Sequence, residues 1–323
     1  MVMVIRVLSF DFGKAFDTVS HKIVCEKLKS INLNPYIINW IINFLGNRKH
    51  RVVVDGNITG YADSNRKVPQ GAVLGPLLLS RLMVNNTKLA DLNNGISKYS
   101  DNITINVPVR RTSDTALAEV KNLENCASKN RISLNLSKTW EMLLRNRTTK
   151  PALPPVPGIE RKEWLKLLGI TFHEDPLIGI FKSTAYFLAA VSCLYILRIC
   201  KYYGYSKDQL SKLFDSLIMP LFPYGLEVWA SAYQRKYLDR IGTFFRRAYR
   251  FGYTNKIILI SDVITRRDSD LFNRIMSDTD HVLYNLLPPK CYRVLRERGH
   301  DFILRKVKTD RFKLAFVNRC LLN

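Results

Sequence analysis

The sequence predicts an α+β region over residues 1–175 followed by an all-α region over 176–323. Three observations lead there: an apolar, β-branched run at the start, a second alternating segment around Asp101, and amphipathic helices from Ser206 onward. Val2 to Phe12 is apolar except for Arg6, Ser9 and Asp11, and reads as a strand that delivers Asp11 at its C-terminal end. Asn34 and Pro35 form a helix start, with the asparagine as N-cap and the proline where a missing N–H costs nothing. Ile37, Ile38, Ile41, Phe44 and Leu45 follow at helical spacing, and Gly46 suits the end. Arg51 to Asp55 reads as a strand with a turn at Asp55-Gly56.

Pro69-Gln70-Gly71 is a turn leading into a helix from Leu74 to Leu89. Ile96 to Val107 alternates as two strands about Asp101-Asn102, read as a two-residue hairpin turn. Ser113 is the expected cap of a helix carrying Leu117, Val120, Leu123 and Ala127, and Ile132 to Leu144 returns to strand-like composition. The proline-dense stretch Thr148 to Gly158 marks a loop or boundary, and Trp164 to Phe172 a short hairpin arm. Ser206 and Gln209 have the spacing of a capping box. The stripe Leu210, Leu213, Phe214, Leu217, Ile218 and Leu221 follows. Tyr237 to Tyr253 reads as an amphipathic helix whose basic side is either a solvated face or a nucleic-acid face.

Charge narrows the function. Fifty Lys and Arg against 27 Asp and Glu leave a formal +23. Residues 231–323 carry 20 basic and 9 acidic side chains, so the excess is denser toward the C-terminus. Such a surface points to a polyanion, most simply nucleic acid. The six cysteines (Cys25, Cys126, Cys193, Cys200, Cys291, Cys320) form no zinc spacing and are expected as buried, reduced thiols of an intracellular protein. The longest uncharged apolar run, Ser183 to Leu197, is short for a bilayer span, and the start has no signal-peptide pattern, so no membrane partner is expected.

Three motifs carry chemistry: DFGKAFD (11–17), VPQGAVLGP (68–76) and YSDN (99–102). Singly, each has an ordinary reading as a cap, a turn or a hairpin tip. In this order they closely resemble the palm of reverse transcriptases from non-LTR (LINE-type) retrotransposons. Phe10 to Val19 matches the first palm motif, Val68 to Leu78 the second, and Tyr99 to Asn102 stands where the family has Y-A-D-D. Asn135 with Lys138-Thr139, Leu168-Gly169 of a primer-grip hairpin, and Tyr224-Gly225 with Trp229 extend the likeness, as does the tail from Ile260 to Phe316.

The resemblance implies an antiparallel palm sheet with packed helices over 1–175, then a helical thumb and basic C-terminal region over 176–323. It implies RNA-directed DNA synthesis with an RNA template, a DNA primer and deoxynucleoside triphosphates. Two Mg²⁺ ions, about 4 Å apart and replaceable by Mn²⁺, would support it. Asp11, Asp101 and the Phe12 carbonyl are then metal ligands, and Asp11, Asp101, Asn102 and Lys138 the catalytic set, with Lys138 placed to protonate pyrophosphate. Phe12, Phe16, Gln70 and Gly71 line the nucleotide, Phe16 as the ring that rejects a 2′-hydroxyl. Leu168 and Gly169 would contact nucleic acid by the same resemblance, and Arg246, Arg247 and Arg250 would do so if the basic side of the Tyr237–Tyr253 helix is a nucleic-acid face. Core packing for Phe16 and a solvated side chain for Lys138 remain open, and Asp17 is expected to cap the next helix.

Departures from the family bear on activity. Asn102 replaces the second carboxylate and Ser100 the alanine of the turn; Asn85-Asn86 replaces an N-D pair and Leu79 a phenylalanine. The chain also starts at the first palm motif, which implies that fingers and an upstream endonuclease are absent. The expectation is a truncated reverse transcriptase, weak or inactive alone. The alternative is a non-catalytic nucleic-acid-binding remnant or a pseudogene product.

Overall fold

β1 (Val4–Asp11) is the middle strand of a five-stranded sheet in a computed structural model. The described residues are 4–64, 66–69, 71–84, 87–110, 113–145, 153–175, 180–182, 184–230, 235–290, 300–304 and 310–322, so Gln70, Asn85, Asn86 and Cys291 lie outside them. After β1 come α1 (Ala15–Thr18), α2 (His21–Lys29) and α3 (Pro35–Leu45). The strands β2 (Lys49–His50), β3 (Val53–Val54), β4 (Asn57–Ile58) and β5 (Ala62–Asp63) form two nested ladders. α4 (Leu74–Leu78) runs on as a π-helical turn, Leu79–Val84. β6 (Gly95–Tyr99), β7 (Asn102–Val109), α5 (Ala116–Lys129), β8 (Trp140–Arg145) and β9 (Glu160–Arg161) complete the sheet, in the order β6-β7-β1-β8-β9.

Alternation along β1 sorts the chemistry from the core. Leu8, Phe10 and Phe12 point to one face, where they pack with Ile103 and Ile105 of β7 under Val24 and Leu28 of α2 and Val120 and Leu123 of α5. Asp11 therefore points to the other face. Each of these buried side chains is worth about 1.5–3 kcal/mol, so a one-residue slip that exposed them would be ruinous. Arg6, 2% exposed, lies on the core face. It meets Asp114, its Nε donating at 2.9 Å, and the fully buried Glu141. Glu141 also accepts from the Val156 N–H at 3.0 Å and from Arg161 at 2.8 Å. Two arginines and two carboxylates thus tie β1, β8 and the 153–156 segment together.

The chain divides into two compact units, Met1–Leu165 with Glu174–Pro176, and Lys166–His173 with Leu177–Asn323. β10 (Trp164–Leu167), β11 (Ile170–His173) and β12 (Ile180–Lys182) make a three-stranded sheet. α6 (Thr184–Tyr202), α7 (Lys207–Leu217), α8 (Leu226–Trp229), α9 (Arg235–Arg250), α10 (Ile260–Ser277), α11 (Asp310–Leu314) and α12 (Phe316–Leu322) follow. The second core is aromatic: Phe222 sits between Phe244 and Phe245, with ring centroids 5.5 and 5.0 Å away, beside buried Phe214 and Trp229. Arg319 of α12 is buried against Asp268 of α10 through bonds of 2.5 and 2.8 Å. Among the described residues no helix is long and apolar enough to cross a membrane.

Several local expectations hold. The Asn34 side chain accepts from the Tyr36 N–H, and Ser206 and Gln209 form the reciprocal capping box. Others need correction. The helix expected to reach Leu89 stops at Val84. Ser113 bridges Arg110 instead of capping α5, which starts at Ala116 with the Asp114 carboxylate accepting from its N–H. On α5 the exposed side is Leu117 and the buried one Glu119, whose carboxylate takes the Ala90 and Asp91 N–H groups and the Asn94 amide. Leu217 on α7 is likewise exposed. The region after residue 175 also contains a strand, β12. The described cysteines are free but only half-buried.

Candidate active site

The end of β1 and the β6–β7 turn meet by register. Asp11 pairs with Asn102, and Tyr99 pairs with Asn102 across the hairpin, so the turn residues are Ser100 and Asp101. This corrects the expected Asp101-Asn102 turn by one position. Ser100 takes the left-handed conformation that closes it, at φ 54°. Asn102 is thereby a strand residue directly beside Asp11, and its amide donates to the Asp101 carboxylate at 3.2 Å.

The electrostatics follow from this placement. Burial pushes the Asp11 carboxyl above its ordinary value; the Lys138 ammonium opposes that, and the negative charge of Asp101 adds to it. Lys138, on a 3-10 turn Leu136–Lys138, places Nζ 3.9 Å from Asp11 while its side chain is 64% exposed. Phe12 is a core side chain. Its bridge to Leu134 is carried by the Gly13 N–H and the Asp11 carbonyl, so that pairing does not use the Phe12 carbonyl. The available donors are thus hard oxygens under mutual repulsion, the kind of set a divalent cation relieves. Among the described residues no third His, Cys, Asp or Glu joins the pair.

Backbone bonds bring the second motif alongside the first. The Phe16 carbonyl accepts from the Val68 N–H at 2.9 Å, and the Val19 carbonyl from the Lys67 N–H at 3.1 Å. Phe16 is half-buried against the first core. Gly71 has φ 86° with open space about it. A Cβ at Gly75 would stand 2.6 Å from the Pro69 carbonyl oxygen, which fixes that position as glycine. Gln70 lies outside the described residues. Asp17 does not cap α2: it sits within α1 and meets Lys67 at 3.4 Å.

In the second unit, Leu168 and Gly169 form the β10–β11 turn with φ of 48° and 82°. The Tyr224 hydroxyl donates to the Leu168 carbonyl at 2.5 Å, and the Trp229 indole N–H donates to the Tyr224 carbonyl at 2.9 Å. Tyr224, which the Tyr-Gly…Trp pattern marked without giving it a role, thus braces the Leu168-Gly169 turn. Arg246, Arg247 and Arg250 lie on the exposed face of α9, whose other face buries Ile241, Phe244, Phe245 and Ala248. Arg247 also reaches a groove of about 1010 Å³ with Arg198, Arg240, Phe187 and Tyr195.

Comparison with known proteins bears on the family of the chain. The chain is 26% identical over 251 residues to the RNA-directed DNA polymerase from mobile element jockey of Drosophila funebris, a match over 72% of this chain and 26% of that protein. It is 23% identical over 321 residues to a protein named "Probable RNA-directed DNA polymerase from transposon BS" of Drosophila melanogaster, over 90% of this chain and 35% of that one. The chain thus spans between about a quarter and a third of the length of these relatives. Apo telomerase from Candida tropicalis is similar at 12% identity and a TM-score of 0.47, covering 88% of this chain and 53% of that one. The reverse transcriptase (RNA-dependent DNA polymerase) family profile matches residues 4–172, so the resemblance read from the motifs is upheld and the chain belongs to that family.

Proposed function

We propose that the chain carries the polymerase centre of a non-LTR retrotransposon reverse transcriptase, with the first unit as palm and the second as thumb. The observation that carries this reading is the register that sets Asp11, at the end of β1, beside the Ser100-Asp101 turn. In the reaction the primer 3′-oxygen bonds to the α-phosphorus of a deoxynucleoside triphosphate, the bond to pyrophosphate breaks, and the 3′-hydroxyl proton is released. Two Mg²⁺ ions, when bound, would stabilise the attacking and leaving oxygens. Asp11, Asp101 and the Phe12 carbonyl would hold them.

The remaining roles would fall to neighbouring residues. Lys138 is exposed and tethered to Asp11 only at 3.9 Å, so it is free to swing to departing pyrophosphate and donate a proton. Phe16, whose backbone is held by the Val68 N–H and whose ring is half-buried against the first core, would be the ring that rejects a 2′-hydroxyl. Gly71, with no Cβ, lets the nucleotide approach the backbone, and Gln70 would complete that wall. The template–primer duplex would lie against the Leu168-Gly169 turn and the arginines of α9. The free thiols suit a reducing, intracellular setting.

Asn102 favours a second reading, a nucleic-acid-binding remnant without catalysis, because it removes a carboxylate beside Asp11. Primer extension on an RNA template with Mg²⁺ separates the two. Extension that disappears in Asp11→Ala supports the polymerase. Salt-sensitive duplex binding with no extension supports the remnant. Extension that survives Asp11→Ala overturns the assignment of this site.

A further inference from the structure

The helices on the core side of the sheet frame a cavity of about 450 Å³, lined by Lys27, Lys88, Lys129, Asn122, Asn125 and Cys126. α2 and α5 supply most of it, and both pack on the face of Leu8, Phe10 and Phe12. Asp11 points the opposite way, so this cavity is separate from the candidate active site. Its floor is the half-buried Lys27 ammonium, which donates to the Leu82 carbonyl and to the Asn130 side-chain oxygen. Neither acceptor carries charge. Lys98 donates to the Thr87 carbonyl at 2.7 Å, close by, and burial holds both ammoniums below their ordinary value.

Three lysines line the cavity against Glu26, the one acidic group among the described lining residues. Lys88 and Lys129 are exposed at its rim. A half-buried ammonium held by neutral oxygens is a charge whose desolvation is repaid poorly, and an anion would repay it. The Asn125 carboxamide adds N–H donors that suit phosphate oxygens, while the Asn122 amide already donates to the Lys88 carbonyl at 2.6 Å and holds that rim residue's backbone. The volume is that of a small-ligand site, larger than a single inorganic ion needs.

We propose that this lysine cavity is a second, non-catalytic site that takes the phosphate groups of a nucleotide-sized ligand. The probe is inorganic pyrophosphate, titrated in EDTA by calorimetry on the full chain. In EDTA the Asp11 and Asp101 carboxylates repel an anion, which disfavours binding at the candidate active site, and the double variants report which basic surface takes it. Saturable binding at one site is expected, with affinity reduced at least tenfold in Lys88→Gln/Lys129→Gln. These two rim residues are exposed, so the variant should fold normally. Lys212→Gln/Lys313→Gln removes the same charge from exposed positions of the second unit and should leave the affinity unchanged.

Pyrophosphate should also slow iodoacetamide labelling of Cys126, and not of Cys193 in the second unit, read by peptide mass. A short oligoribonucleotide that displaces pyrophosphate would support the site and make strand phosphate its source. An oligoribonucleotide that binds without displacing it would support a free phosphate compound. No saturable binding, or equal losses in the two double variants, would overturn the proposal, because the binding would then be generic attraction to a +23 chain.

Discussion

Asn102 stands directly opposite Asp11 in the β1–β7 ladder, and its amide donates to the Asp101 carboxylate at 3.2 Å. The carboxamide therefore does two things at once. It spares Asp11 another negative neighbour, and it gives Asp101 a neutral donor where a cation would otherwise sit. A cation shared by Asp11 and Asp101 is therefore expected to be held less tightly than one that also meets a third carboxylate.

Asn102→Asp should reverse both effects. In EDTA the variant should melt lower than the parent, because a new carboxylate faces one already pushed up by burial and by Asp101. Added Mg²⁺ should then raise its melting temperature more than the parent's, since stabilisation by a ligand follows its affinity for the folded state. Melting curves with and without Mg²⁺ check this, and equal Mg²⁺ shifts in the two proteins would refute it.

Asp11→Asn tests the opposite trade. The native Asp11 carboxyl lies above 3.8, its unfolded value, so between those two values the folded state binds more protons than the unfolded one. Stability then falls as pH rises through that window, and the deficit persists at neutral pH. The variant should melt higher at pH 7 and show a flatter pH profile. Primer extension should fall by at least about a hundredfold, or about 2.7 kcal/mol of barrier. A variant less stable than the parent at pH 7 would contradict the sign.

Much of the local structure is legible in the sequence because it depends on neighbouring residues. The Asp11 strand end, the Leu168-Gly169 turn and the Ser206 capping box each follow from a few adjacent residues. The hairpin register is not legible, since Asp-Asn is as good a turn pair as Ser-Asp, and only pairing with β1 decides between them. Buried charge is missed for the same reason: Arg6 and Glu141 are 135 residues apart in the chain. Asp17 looks like a cap until Lys67 arrives from the second motif. The Tyr224 motif is visible, but its partner, the Leu168 carbonyl, is visible only in three dimensions.

Gly225→Ala should destabilise the second unit by about 2–4 kcal/mol, combining left-handed backbone strain with overpacking. Gly225 has φ 64°, and a Cβ there would stand 2.4 Å from the Ile170 Cδ1. Gly204→Ala is the control: its φ is 87° with nothing within 4 Å, so only the backbone penalty of about 1–2 kcal/mol applies. Urea denaturation compares them. Equal losses would show that the contact with Ile170 is unimportant.

The arginines of α9 give the last prediction, which concerns binding and is independent of catalysis. Arg246, Arg247 and Arg250 are exposed, while Phe244, Phe245 and Ala248 hold the helix in the core, so changing the arginines should leave α9 folded. Each arginine that neutralises a phosphate releases about 0.9 counterion, so the log–log salt slope of duplex binding reports how many contacts exist. Replacing all three by Gln should make the slope for an RNA–DNA duplex shallower by up to about 2.7. Lys256→Gln is the matched control, because Lys256 already spends its charge on Asp215 at 3.0 Å and should hardly change the slope. Binding is to be measured by fluorescence anisotropy between about 50 and 200 mM salt, the range over which such contacts show most clearly. A triple variant with the parent's slope would mean that α9 presents its arginines to solvent alone, and that the +23 charge acts elsewhere on the chain.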